Sequence, residues 1–168
     1  PVQPAGYAFA IWGPIYLWLL VSAGFGLVAR SGSSAWDAPR WPLFVSLAVG
    51  ALWLAVAQVS PLWATLLIWV MLVSALLALT RTPRSDPWLL RAPVALYAGW
   101  LTAASWVAIG LLGAGYAIGP GEEGWAVVGL AGALGTALLV QRSPGWAAIY
   151  TVAVVWALLG IAVANAGE

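Results

Sequence analysis

The chain has 168 residues, 64% hydrophobic and 7% charged, with a formal net charge of +1. A soluble domain carries about a quarter charged residues, so this chain is solvated by lipid and no nucleic-acid partner is implied. The absence of cysteine removes disulfides and thiolate chemistry. The absence of histidine removes the usual haem ligand, the commonest metal ligand and the commonest acid/base catalyst. Neither a metal site, a covalent cofactor nor a conventional enzyme is expected.

Cutting the sequence at its charges and turn clusters leaves six apolar runs, about 6–29, 41–58, 62–80, 91–114, 124–141 and 145–164. Each approaches the roughly 20 residues that a helix needs to cross a bilayer core. The first run ends at Ser31-Gly32-Ser33-Ser34. The second and third are divided at Gln58-Val59-Ser60-Pro61, because Pro61 can open a helix but not continue one. The third ends in the stretch Thr82 to Pro87, the fourth at Gly119-Pro120-Gly121 and the fifth at Ser143-Pro144-Gly145. Nothing shows the alternation of barrel strands, and helices satisfy their own backbone in lipid. The expected fold is all-α, a polytopic transmembrane helix bundle forming one domain over 1–168. The chain opens on Pro1, and one more N-terminal helix is expected to precede it.

The arginines set the orientation. Arg30 and Arg40 lie between spans one and two, Arg81, Arg84 and Arg91 between three and four, and Arg142 between five and six. Loops 30–40, 81–91 and 142–144 are therefore expected to be cytoplasmic, in a bacterial inner membrane. Span five is rich in small residues, with Gly129, Gly132 and Ala133 beside a small-xxx-small pair, Ala131 and Gly135. The expected use of that pair is close packing within the bundle; a docking face for another protein is the alternative.

Thirteen tryptophans are the second strong signal. Trp36, Trp41, Trp88, Trp125 and Trp146 fall at loops or helix ends and suit the interfacial aromatic belt. Deeper in the spans, Phe9, Trp12 and Tyr16 share a helix face. Tyr97 and Trp100 pair similarly, as do Thr102 and Trp106. Trp12 and Trp106 fall in the outer half of their spans, Gln58 and Trp63 flank the outer turn between spans two and three with Trp53 slightly deeper, and Thr102 and Ser105 are polar candidates near that side. They either converge on an aromatic cavity suited to a flat apolar ligand or fill gaps between helices. Ser and Thr in membrane helices mostly bond backbone carbonyls. No ionisable residue lies away from a span end, which argues against an ion pump or proton-coupled transporter.

The opening Pro4-Ala5-Gly6-Tyr7-Ala8-Phe9-Ala10-Ile11-Trp12-Gly13-Pro14-Ile15-Tyr16 resembles the P-x-x-x-x-F-x-I-W-x-x-I-Y segment of the TspO/MBR family. These are the tryptophan-rich sensory proteins, related to the mitochondrial translocator protein. The stretch Leu89 to Trp106, with Pro93, Tyr97 and Trp100, resembles the family's L-x-x-P-x-x-x-Y/W-x-x-W/F-x-x-A helix. Tyr150 to Ile161 is similar to the last helix of a longer TspO-related branch. The resemblance implies binding of porphyrins, sterols and other hydrophobic ligands among the helices, and a sensory or regulatory role. It makes Trp12 and Trp106 the pocket tryptophans. The chain departs from the family pattern at Ser60-Pro61-Leu62-Trp63 and at Ser105, where the family often has Asn.

All six arginines are expected at the face opposite the aromatic residues, so a neutral, extended ligand fits better than a porphyrin with free propionates. The expected ligand is a lipid, carotenoid, quinone, sterol-like molecule or esterified tetrapyrrole, and any photochemistry would belong to a bound pigment. The rival reading is an accessory structural subunit of a larger, energy-transducing membrane complex, with other membrane subunits or a second copy as partner. A passive transporter ranks third.

Overall fold

The computed structural model describes residues 3–142 and 147–166. The predicted break at 143–145, Trp146 and the end of the predicted cytoplasmic loop 142–144 fall outside the described residues. Among the described residues the fold is all helical. A 3-10 turn, Gly6–Ile11, leads into α1 (Trp12–Ala29). A short α2 (Ser34–Asp37) precedes α3 (Arg40–Ala57). Then come α4 (Pro61–Arg81), a π turn (Pro87–Arg91) running into α5 (Ala92–Gly115), α6 (Gly121–Gln141) and α7 (Ala147–Asn165). Six helical segments are long and apolar enough to cross a membrane.

Local chemistry accounts for the boundaries. Ser60 caps α4 by accepting the Trp63 backbone N–H at 3.3 Å, and Pro61 takes the first helical position, where its missing donor costs nothing. Glu122 and Glu123 occupy the first turn of α6, where carboxylates suit the positive end of the helix dipole.

The bundle is built around α5. Every residue from Ala92 to Ala103 is buried, with α4, α6 and α7 against it and α1 packed more lightly. α3 lies outside and packs mainly on α4. Its Ser46 hydroxyl donates to the Met71 carbonyl at 2.7 Å and sits 2.9 Å from the Tyr97 hydroxyl. That chain ties α3, α4 and α5 together with no polar atom left over at the crossing. The α5–α7 contact depends on Gly99, because a Cβ there would strike the Tyr150 carbonyl and lie 3.1 Å from Ala153 Cβ. Close backbone approach of this kind is what holds helices together in lipid, where burial from water supplies no force between them. The N-terminal segment is fastened to α7 by the Ala5 N–H on the Gly160 carbonyl at 2.9 Å, and by Trp156 Nε1 on the Ala8 carbonyl at 2.9 Å.

The expected packing role of Ala131 and Gly135 is corrected. Both are exposed, and nothing lies within 4 Å of a Cβ built on Gly135. Gly132 instead meets α5, at Trp106, and the buried positions of α6 are Gly129, Ala133 and Ala137. The α6 faces differ by one residue of phase, which a spacing rule does not resolve.

The arginine-bearing ends of the helices lie together. Arg30 reaches Asp86 through Nε at 2.8 Å and Nη2 at 3.2 Å, and Trp36 Nε1 donates to the same carboxylate at 3.1 Å. Asp86 itself has a left-handed backbone, φ 50°, a conformation that Asp tolerates better than most residues. Its carbonyl accepts the Leu89 and Leu90 N–H groups, each at 3.1 Å, and so starts the π turn. The hydrogen bonds from Arg30 hold the Asp86 carboxyl below the usual carboxylate range, with that of Trp36 adding to the effect, while the same contact raises Arg30. Trp36 is only 2% exposed, so it is not a belt residue as its sequence position suggests. Trp41 and Trp88 remain exposed.

Candidate functional site: an aromatic cavity in the arginine-free half

The cavity lies among α3, α4, α5, α7 and the N-terminal segment and measures about 140 Å³. Phe9, Trp53, Ile68 and Trp100 supply its large walls, and Ala104 and Val107 its smaller ones. α5 starts beside Arg91, reaches Trp100 near its middle and carries Ala104 and Val107 in its second half. Trp53 comes late in α3 and Ile68 early in α4. The cavity therefore runs from about the middle of the bundle into the half away from the arginines.

Three of the sequence-predicted residues, Phe9, Trp53 and Trp100, meet here. Phe9 stands edge-on to Trp100 with ring centroids 5.9 Å apart. Trp53 is fixed by donating Nε1 to the Ala64 carbonyl at 2.9 Å. A second cleft, of about 330 Å³, shares Trp53, Ala108 and Leu111 with the cavity and runs out between α4 and α5 past Pro61 and Thr65. The indole of Trp53 is thus a common wall between the inner cavity and the lipid-facing cleft.

Trp12, Tyr16 and Tyr97 form an aromatic group next to Trp100. Trp12 stacks on Tyr16 at 5.2 Å and meets Trp100 edge-on at 6.1 Å, and Tyr97 lies 6.3 Å from Trp12. These three do not line the cavity, and the Trp12 ring backs Trp100. Thr102 and Ser105 are fully buried and committed to protein partners. Thr102 Oγ1 donates to the Ala98 carbonyl at 2.9 Å and pairs with the Tyr150 hydroxyl at 2.5 Å, and Ser105 Oγ donates to the Ile68 carbonyl at 3.3 Å. Gln58 and Trp63 are exposed at the α3–α4 turn, outside the cavity lining.

Trp106 does not join Trp12. It follows Trp100 by about one and two-thirds helical turns, so it emerges roughly 120° around α5. There its Nε1 donates to Thr136 Oγ1 at 3.0 Å, its ring stands edge-on to Trp69 at 5.2 Å, and it fills a notch that a Cβ on Gly132 would close.

The small lining residues went unnoticed in the sequence, yet a signal was present. Ala104, Val107, Ala108 and Leu111 follow Trp100 at helical spacings of three and four, so Trp100 and its own helical stripe define the α5 wall. Tyr150, the partner of Thr102, was visible only as part of the α7 pattern.

Polarity in the cavity is sparse. Trp100 is 2% exposed, and its Nε1 is buried with no acceptor in hydrogen-bonding reach among the described residues. Among the described residues no group of acidic, histidine or cysteine side chains could hold a metal.

These features define an integral membrane protein, a polytopic helical bundle with a small aromatic cavity beside its central helix. The family model described as TSPO-like protein matches residues 1–168, and the chain belongs to that family. No curated protein and no solved structure matches it.

Proposed function

We propose that this TspO-like protein binds a neutral, extended hydrophobic ligand whose ring-sized end, carrying an acceptor oxygen, occupies the cavity beside Trp100, and that binding serves a sensory or regulatory role. The observation that carries the reading is the Trp100 indole N–H, buried without a protein acceptor in a wall of that cavity. Leaving such a donor unmet costs about 1–3 kcal/mol, which a ligand oxygen would recover. Size narrows the class. A cavity of 140 Å³ is close to the roughly 150 Å³ that admits benzene, and below the roughly 300 Å³ where drug-sized sites begin. A tetrapyrrole macrocycle would need the helices to part. A quinone, sterol or oxygenated carotenoid can insert one ring and leave its remainder in the cleft beyond Trp53. The arginines sit at the other end and offer nothing to propionates here.

Equilibrium binding of a short-chain quinone, cholesterol and protoporphyrin IX to detergent-purified protein tests this. At least one neutral ligand should bind more tightly than the porphyrin diacid, and Ala104→Phe, which fills the cavity, should weaken it at least tenfold. Unchanged binding in Ala104→Phe would put the site elsewhere.

The arginine-bearing end is proposed to face the cytoplasm of a bacterial inner membrane. A second reading, an accessory subunit of a larger membrane complex, is favoured by one observation. Ala131 and Gly135 present an exposed small-residue strip on α6, with no helix against it among the described residues. Gentle purification followed by mass spectrometry separates the two. A partner protein at fixed stoichiometry that Gly135→Leu releases supports the subunit reading, and a free protein carrying a small molecule supports the first.

A further inference from the structure

The arginine end contains a second concavity, of about 280 Å³, between α1 and α3. Its walls are mostly apolar: Leu19, Ala23 and Leu27 on α1, with Ser22 among them, and Leu43, Phe44 and Leu47 on α3. Arg40 stands at its mouth. From Leu27 to Leu19, or from Arg40 to Leu47, is about 10–12 Å of helix, against the roughly 15 Å of one leaflet of a 30 Å hydrocarbon core. The groove runs along the helix axes, in the direction of an acyl chain.

Arg40 is held in place. Its Nη2 donates to the carbonyls of Gly26 and Arg30, each at 3.3 Å, at the negative end of α1, and Nη1 pairs with Asp37. The side chain is still 41% exposed. A guanidinium offers five N–H donors, more than these contacts consume. Trp41, next in sequence, is 70% exposed and stacks on Phe44 at 5.6 Å, which suits a ring at headgroup level. Among the described residues this end carries six arginines against Asp37 and Asp86, so the net field at the groove mouth is positive.

We infer that the α1–α3 groove is a site for one anionic phospholipid, with an acyl chain between Leu27 and Leu47 and its phosphate on the Arg40 guanidinium. Charge complementarity selects the occupant. A zwitterionic lipid would fill the same groove without the gain from the basic end, and a partner helix would have to lie over a mouth blocked by Arg40 and Asp37. Asp37 competes with the phosphate for Arg40, so the site is tunable by that one carboxylate.

Native mass spectrometry of the full chain in mild detergent, titrated with dioleoyl phosphatidylglycerol or dioleoyl phosphatidylcholine, tests the inference. The phosphatidylglycerol adduct should be the tighter. Arg40→Gln should cut that preference about fivefold, as expected for one basic residue at an anionic headgroup. Leu47→Trp, which fills the groove, should lower retention of both lipids. Asp37→Asn should strengthen phosphatidylglycerol binding while leaving the carbonyl contacts of Arg40 in place. If Arg40→Gln loosens α1 and unfolds, the other two variants decide. Equal retention of the two lipids by the unsubstituted chain would overturn the site, as would phosphatidylglycerol retention unaltered by both Leu47→Trp and Asp37→Asn.

Discussion

Substituting Trp100 by Phe separates a ligand-binding indole from a merely space-filling one. The change has two effects on the ligand-free protein. It deletes a small part of the side chain from a packed wall, at a cost of roughly 2 kcal/mol, well below the 3–5 kcal/mol of a full Trp→Ala truncation. It also deletes a buried N–H that has no protein acceptor, relieving about 1–3 kcal/mol of unmet desolvation. The two nearly cancel. Thermal unfolding in detergent, followed by intrinsic fluorescence, should place Trp100→Phe within about 1 kcal/mol of the unsubstituted chain, or roughly 2–4 °C in Tm for a chain of this size.

Ligand affinity should behave differently. A hydrogen bond from Nε1 to a ligand oxygen contributes about 0.5–1.5 kcal/mol, so Trp100→Phe should weaken binding roughly 2- to 12-fold. A hydrocarbon ligand of similar shape should lose much less. The reasoning is refuted if Tm falls by more than about 8 °C while affinity stays unchanged. That combination would mean that the indole N–H has a partner within the protein and that the cavity wall, not the donor, is what matters.

Gly99→Ala should destabilise the bundle by about 1–3 kcal/mol, because its new methyl meets the Tyr150 carbonyl; a Tm within 1 °C of the unsubstituted chain would count against close α5–α7 packing. Asp86 has a depressed carboxyl pKa, so its contribution is complete above the ordinary carboxylate value and is lost as pH falls through the lower folded value. The stability gap between the unsubstituted chain and Asp86→Asn should therefore be constant from pH 5 to 8 and close below about pH 4; a gap independent of pH down to pH 2 would remove the charge argument. The chain has no cysteine, so Ser85→Cys and Ile118→Cys report topology cleanly. An impermeant maleimide added to intact cells should label Ile118→Cys and leave Ser85→Cys unlabelled, and the reverse pattern would invert the orientation.

The helices were legible because each is bounded by chemistry that a sequence displays. Pro61 with Ser60, the Thr82–Pro87 stretch, and Gly119-Pro120-Gly121 mark ends that the structure keeps within a few residues. The arginine loops were equally plain, since charge cannot hide in an apolar chain. What could not be read was the rotation of each helix about its own axis. Almost every face of these segments is apolar, so the amphipathic stripe that orients a helix in a soluble domain is missing. For that reason the sequence did not show that Trp106 lies on a different face of α5 from the cavity lining, or that Ala131 and Gly135 lie on the outer face of α6. Trp36 failed differently. Its place in a loop suggested the membrane interface, but the αL turn at Asp86 brings a carboxylate to its indole N–H from a segment distant in sequence.

The division of the bundle into two halves follows from where polar groups can be satisfied. At the arginine end, water and headgroups are near, so ion pairs and capped carbonyls can hold α1, α2 and the Pro87–Arg91 turn together. In the other half there are no charges among the cavity walls, and each buried hydroxyl of α5 has been given an acceptor: Thr102 on Ala98, Ser105 on Ile68, and Tyr97 shared with Ser46. Against that background the indole N–H groups of Trp100 and Trp69 are exceptions, and of the two only Trp100 belongs to the cavity lining. In lipid such a group has no water to fall back on, which is why the Trp100→Phe comparison of stability with ligand affinity is the decisive test of the proposed site.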